Sequence, residues 1–106
     1  MAWTKIAATA ELPEGRGVRV DVGSHRIAIF KVAGAVYAVG DRCSHAEASL
    51  SEGTVWDTSV ECPRHGAEFD LATGAAETLP ASKPVPAYPA RVDEGMLYLD
   101  LPEEDA

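Results

Sequence analysis

The chain has few cysteines, histidines and basic residues, and it has no long apolar run. Its 106 residues include two cysteines and three histidines. No stretch offers the roughly 18 consecutive apolar residues that a membrane-spanning helix needs. Nine basic residues stand against 17 acidic ones, and the formal net charge of −8 argues against nucleic acid as a partner. We therefore expect neither a membrane protein nor a nucleic-acid-binding protein.

A secretion signal is also missing from the opening residues. The stretch "MAWTKIAATAELPEG" contains no charged segment followed by an apolar one. We therefore expect a cytoplasmic location, where thiols stay reduced and two cysteines are better explained as metal ligands or core residues than as a disulfide. The acidic surface suits docking onto a basic patch of a partner protein, although solubility alone would also explain it.

No long stretch repeats apolar residues with the period of a helix. Several stretches instead alternate with the period of a strand. "GVRVDVG" (17–23) alternates valine with polar residues, which predicts a strand with one buried face. "SHRIAIFKV" (24–32) is mixed on both faces, as in a central strand. "AG" at 33–34 predicts a two-residue hairpin turn before "AVYAV" (35–39).

The rest of the chain predicts further strands around an irregular middle segment. "MLYLDL" (96–101) places three leucines on one side after a turn at "DEG" (93–95), and the prolines of "VPAYPARV" (85–92) predict an edge strand or a loop. "AEASLSEG" (46–53) has room for one helical turn. We expect one all-β domain over residues 1–106, a sandwich or small barrel. Residues of about 1–40 and 81–101 would form the β base, and about 41–80 would carry a functional site.

Both cysteines and two of the histidines fall in two short motifs. These are Cys43-Ser44-His45 and Cys62-Pro63-Arg64-His65. Residues two or three apart in a loop can converge on one centre, and the spacer between the motifs lets the second loop face the first. The four side chains are therefore candidate ligands of one metal centre.

Three interpretations compete for these four residues. A zinc ion could take two thiolates and two imidazoles, and would make the chain a zinc-stabilised interaction module, although zinc sites usually pair two cysteines in one loop. A disulfide would leave both histidines unexplained. A two-iron, two-sulfide (2Fe-2S) cluster, with two thiolates on one iron and two imidazoles on the other, uses all four, since each loop then gives one ligand to each iron.

The stretches "CSH" and "CPRHG" resemble the Rieske signature C-x-H … C-x-x-H. This resemblance implies a Rieske-like antiparallel β-sandwich with an inserted two-loop cluster-binding subdomain, and one 2Fe-2S cluster. Cys43 and Cys62 would hold the inner iron, and His45 and His65 would hold the outer iron through Nδ1. The loop with Pro84 and Pro86 would correspond to the one that covers the cluster in the family. No residue is expected to be catalytic.

The resemblance also separates the kinds of Rieske protein. Respiratory-chain members have a disulfide at positions that correspond to Ala48 and Arg64, so it is impossible here. Ala67 and Phe69 replace a serine and a tyrosine that hydrogen-bond the cluster, and a potential near the low end of the Rieske range, about −150 mV, is expected. An oxygenase needs a second iron site with two more histidines, and only His25 is left.

With those kinds excluded, the chain resembles the ferredoxin component of multicomponent oxygenases. The expected function is one-electron transfer from a flavin-dependent reductase to a terminal non-haem iron oxygenase, by a monomer with no membrane partner. Alternatives are the small subunit of an assimilatory nitrite reductase and an accessory protein of iron–sulfur assembly. Of the other residues, Trp3 and Trp56 are expected to pack, His25 to be a solvated loop residue, Asp41 to accept a turn hydrogen bond, and Arg64 to lie beside a docking face or in solvent.

Overall fold

The alternating stretches of the sequence form strands, which a computed structural model describes for residues 2–43, 48–64, 66–78 and 83–101. Within these ranges there are ten strands in three antiparallel sheets, with order β1-β10-β9, β2-β3-β4-β8 and β5-β6-β7. The strands are β1 Ala2–Ala8, β2 Gly17–Val22, β3 His25–Val32, β4 Ala35–Gly40, β5 Thr54–Trp56, β6 Ser59–Glu61, β7 Glu68–Asp70, β8 Ala87–Tyr88, β9 Ala90–Asp93 and β10 Met96–Leu101. Two single 3-10 turns, Thr9–Glu11 and Leu50–Glu52, complete the regular structure of these residues. No helix in them is long and apolar enough to cross a membrane.

Strand β3 separates two hydrophobic cores because it is apolar on both faces, as its sequence predicts. Ile27 and Ile29 face one core, and Ala28 and Phe30 face the other. The first core lies between the β2-β3-β4-β8 and β1-β10-β9 sheets, and it contains the three leucines of β10. The second core holds the middle segment of the chain against the same strand. This second core contains both cysteines.

Two hairpin turns match their sequence signals. Ala33 and Gly34 have φ values of 51° and 83°, and Glu94 and Gly95 have φ values of 49° and 78°. Two consecutive positive φ angles are typical of the turns whose twist fits a two-residue hairpin. The proline-rich stretch also behaves as expected, since β8 and β9 each lie at the edge of a different sheet and Pro89 separates them.

Two parts of the sheet structure were not expected from the sequence. Strand β1 has a register shift between Lys5 and Ala7, which disturbs the period of two. The segment 41–80 contains the sheet β5-β6-β7, whose strands have only three residues each. A strand that short has too few positions to show alternation. The antiparallel β-sandwich with an inserted subdomain is confirmed, and the subdomain has a sheet of its own.

Both tryptophans were expected to be packing residues, and neither is buried in a core. Trp3 is 44% exposed and Trp56 is 57% exposed. The guanidinium of Arg91 lies 4.5 Å from the centre of a Trp3 ring, so Trp3 makes a cation–π contact on an outer sheet face. In β5 the side chain before Trp56 is Val55, which packs toward the second core, and the alternation of a strand then turns Trp56 outward.

The subdomain is joined to the proline loop through Gly74. The amide of Val85 donates a hydrogen bond of 2.8 Å to the carbonyl of Gly74, and Val85 is buried in the second core. Gly74 has a φ of +78°, and a Cβ built on it would lie 2.0 Å from the carbonyl oxygen of Val85. Glycine is therefore required at this position both by its backbone angle and by the close approach of the proline loop.

Replacement of Gly74 by alanine should destabilise the protein far more than the same change at Gly34. Gly34 also has a positive φ, +83°, but a Cβ there would meet nothing within 4 Å. We expect Gly34→Ala to lower the free energy of unfolding by about 1 kcal/mol, and Gly74→Ala by at least about 2 kcal/mol more, because overpacking adds to strain. Urea unfolding of the two variants and the parent measures this. Equal losses would contradict the close contact at Gly74.

Candidate metal centre

The two motif loops are closed by the same kind of backbone hydrogen bond. The amide of Cys43 donates to the carbonyl of Ala48 at 3.0 Å, and the amide of Cys62 donates to the carbonyl of Ala67 at 2.6 Å. In each loop the acceptor lies five residues after the cysteine. Gly66, with a φ of +76°, also donates to the carbonyl of Cys62 at 3.0 Å. Each cysteine is thus fixed at the base of a short loop.

Both cysteines are buried together in apolar surroundings. Cys43 is 2% exposed and Cys62 is 1% exposed, and neither forms a disulfide, so the disulfide interpretation is not supported. They belong to the second core, together with Leu50, Phe69 and Val85. Reduced thiols at the bases of two facing loops are the soft ligands that an iron–sulfur cluster takes, and an apolar shell limits the access of water to it. The described half of the donor set therefore fits such a cluster.

The two histidines of the motifs, His45 and His65, lie outside the described residues. The structure brings Cys43 and Cys62 into one core and does not describe the imidazoles. Among the residues it does describe, no group of three or more histidine, cysteine or acidic side chains could hold a metal ion. Any metal site that includes the cysteines therefore needs ligands from the undescribed positions.

The third histidine, His25, differs from its expected place in a solvated loop. It is the first residue of β3 and is half-buried. Its ring stands edge-on to Tyr88, with centroids 6.0 Å apart and an interplanar angle of 74°. Burial also raises the pKa of Tyr88. The register of β3 against β2, where Val22 pairs with His25, draws the histidine into the sheet.

Asp41 is a buried carboxylate at the base of the first loop. Its side chain is fully buried, and its Oδ1 accepts a hydrogen bond of 2.9 Å from the amide of Ser51. Its backbone amide donates to the carbonyl of Arg26, and its carbonyl accepts from the amide of Leu50. The residue therefore joins β3, β4 and the 3-10 turn that follows the first loop. An Asx-type turn was expected here, but the carboxylate instead accepts from an amide ten residues along the chain.

The other oxygen of Asp41 faces an arginine. Oδ2 lies 3.9 Å from Nε of Arg19 and has no hydrogen-bond partner in the structure. Arg19 itself donates to Asp21 at 3.0 Å, and this hydrogen bond is the main cause of the raised pKa of its guanidinium. The buried carboxylate is thus only partly compensated. The position of Asp41 just before the first motif drew attention to it in the sequence, but the burial of its side chain could not be predicted.

Two buried positions near the second loop have no side-chain hydrogen-bond donor for the cluster, as expected. Ala67 and Phe69 are both fully buried and apolar. Their side chains have no donor group, so any hydrogen bonds to sulfur from this side must come from backbone amides. The carbonyl of Ala67 is occupied by Cys62.

An open groove of about 370 Å³ lies beside the two loops. Three of its lining residues are arginines from separate parts of the chain, namely Arg26, Arg42 and Arg64. Among the described residues, its lining also includes one acidic side chain, Glu52, together with Ala48, Ser49 and Pro63. We call this feature the arginine groove. Sequence reasoning drew attention to Arg64 alone, because the other two arginines lie far from it along the chain.

Comparisons with known proteins agree on the family. A sequence profile of the Rieske [2Fe-2S] domain matches residues 2–89. The ferredoxin subunit of 3-phenylpropionate/cinnamic acid dioxygenase from Escherichia coli K12 is 50% identical over 95 residues, which are 89% of this chain and 89% of that protein. Together, the fold and the two cysteine loops define an iron–sulfur protein of electron transfer.

Solved structures extend this result. A chain in the complex of reduced oxygenase and oxidized ferredoxin in carbazole 1,9a-dioxygenase has a TM-score of 0.85 and 37% identity, over 92% of this chain and 91% of that chain. A proposed NADH-dependent nitrite reductase small subunit from Mycobacterium tuberculosis has a TM-score of 0.82 and 34% identity, over 92% and 93%. The chain belongs to the Rieske 2Fe-2S domain family. It is an electron carrier with one Rieske-type cluster and not itself an enzyme.

Removal of the Asp41 carboxylate should destabilise the base of the first loop. In Asp41→Ala the amide of Ser51 loses its acceptor inside the protein, which costs about 1–3 kcal/mol of unfolding free energy. Asp41→Asn keeps a carbonyl oxygen in that place and should cost less. Asp21→Ala, which removes an exposed partner of Arg19, should cost at most about 1 kcal/mol. Urea unfolding compares the three. If Asp21→Ala lowered the free energy of unfolding as much as Asp41→Ala does, a special role for the buried carboxylate would be contradicted.

Proposed function

We propose that Cys43 and Cys62 hold the inner iron of the cluster and that His45 and His65 hold the outer iron. The burial of two thiols in one apolar core, without a disulfide, and the matching closure of the two loops support this assignment. The family motif supports the histidines. When bound, the cluster accepts and releases one electron. We further propose that residues 1–106 form a single domain, with the cluster segment at about 41–80.

The second loop supports an exit for the electron at the protein surface. Cys62 is 1% exposed, whereas the next two residues, Pro63 and Arg64, are exposed. The chain therefore passes from the core to solvent within two residues. A partner protein can approach the loop there, within two residues of the proposed ligand Cys62. This short path is the observation on which the carrier role chiefly depends.

The physiological partners are inferred from the relatives. We propose that the protein takes electrons from a flavin-dependent reductase and delivers them to a terminal non-haem iron oxygenase, as a cytoplasmic monomer. The 50% identity to a dioxygenase ferredoxin subunit favours this system over nitrite reduction, for which the identity to a solved relative is 34%. The small-subunit alternative is kept as an outcome of the test below.

Substitution of a proposed ligand should abolish the cluster, and substitution of His25 should not. Cys62→Ser and His65→Ala should each lose the brown colour and nearly all of the about two irons per chain that a 2Fe-2S cluster supplies. His25→Ala removes the one histidine outside the motifs and should keep both. Iron content, visible absorption and the low-temperature EPR spectrum after dithionite report this. Full iron content with an unchanged EPR signal in His65→Ala would contradict the ligand assignment.

Electron delivery can be tested with the oxygenase of the Escherichia coli relative. The loaded protein is reduced, freed of reductant and mixed with the oxidised terminal oxygenase of 3-phenylpropionate dioxygenase. We expect its cluster absorbance to return within the mixing experiment, and the Cys62→Ser protein to transfer nothing. No transfer from a loaded protein would contradict the proposed partner. Faster transfer to a nitrite reductase large subunit would favour the alternative.

A further inference from the structure

The arginine groove is a local exception to the charge of the molecule. The chain has a formal net charge of −8, yet three of its nine basic residues line one groove, where the described part of the chain contributes one glutamate. A general negative field repels anions, so a cationic groove on such a protein concentrates the attraction for an anionic group in one place. The groove also lies where a redox partner must approach, because Arg42 directly precedes Cys43 and Arg64 follows Cys62 by two residues.

Three separate backbone segments fix the arginines in this position. Arg26 lies in β3, where it pairs with Asp21 of β2. Arg42 forms an isolated antiparallel bridge with Ser49 across the neck of the first loop. Arg64 lies at the exposed end of the second loop. Since both loops contribute, the groove spans the gap between them and does not belong to one loop alone.

Two of the three arginine charges of the groove are available to a ligand. Arg26 and Arg64 are exposed, and neither has an ion pair with a carboxylate in the described part of the chain. Glu52 also lies in the field of Arg19, whose pKa it helps to raise, so its charge is shared with a cation outside the groove. Guanidinium groups bind carboxylates through two parallel N–H···O bonds, which gives direction as well as attraction.

We propose that the arginine groove accepts a carboxylate side chain of the terminal oxygenase and so orients that partner over the two cluster loops. This inference rests on the proposed function. Its choice of occupant follows from charge complementarity and from the solved complex of a related ferredoxin-type chain with an oxygenase. The acidic remainder of the surface would repel the same partner elsewhere, and the pairing of charges would set the rate of association more than the final affinity.

Two double variants that have the same total charge test the groove. Arg26→Gln/Arg64→Gln removes two groove charges. Lys5→Gln/Arg91→Gln removes two charges from the β1-β10-β9 sheet, none of whose residues lines the groove. An unchanged visible and EPR spectrum first establishes that the cluster is intact in both.

The first measurement uses small redox probes and no partner protein. Reduced protein is oxidised by ferricyanide, a trianion, and by tris(phenanthroline)cobalt(III), a trication, in stopped flow at low salt. We expect the groove variant to slow ferricyanide by about threefold or more relative to the control variant, and added salt to remove the difference, because screening weakens exposed charges. Equal ferricyanide rates in the two variants would overturn the anion-binding groove.

The second measurement uses the oxidised Escherichia coli oxygenase. Titration calorimetry and electron-transfer rates should show weaker binding and slower association for the groove variant than for the control, with a smaller dependence on salt. A loss of equal size in both variants would overturn the docking role. If the parent protein transfers no electrons at all, the proposed function has failed, and the ferricyanide comparison still decides whether the groove attracts anions.

Discussion

The structure depends on one constraint: two thiols must be held together, away from water, at the bases of two loops. The loop closures from Cys43 to Ala48 and from Cys62 to Ala67 meet this need by hydrogen-bonding the cysteine backbone. The second core then buries the side chains between β3, the small sheet and Val85 of the proline loop. Because the proposed ligands come from both loops, a shift of either loop would affect the whole proposed centre. The close contact of Gly74 with Val85 and the buried Asp41 act on this same geometry.

Charge is distributed to suit a carrier that must meet partners and leave them again. Acidic residues outnumber basic ones by 17 to nine, while three arginines beside the loops line the arginine groove. Exposed charges of this kind contribute little to stability, and they act mainly on the rate and orientation of encounter. Exposed aromatic residues add a second surface feature, since Trp56 lies on the outer face of the inserted subdomain. The core fixes the loops, and the surface selects what reaches them.

Some of this architecture could be predicted from particular residues. The alternation in 17–23 and 96–101 predicted β2 and β10, and "AG" predicted the hairpin at Ala33 and Gly34. The edge position of the proline-rich strands also followed from their composition. Strand β1 and the subdomain sheet could not be predicted, because a register shift and a length of three residues remove the period. The exposure of the two tryptophans was not predicted, since size and apolarity alone do not decide which face of a strand a residue occupies.

The sequence by itself determined the chemistry: two Cys–His motifs at short spacing supply the types and number of ligands that a Rieske cluster needs. It also leaves only His25 outside the two motifs, whereas a second iron site needs two histidines. Only the tertiary structure decided that Cys43 and Cys62 share one apolar core, that Asp41 is buried, and that three distant arginines line one groove. The physical reason is that ligand type is a property of single residues. Burial and charge clustering depend on which segments the sheets bring together.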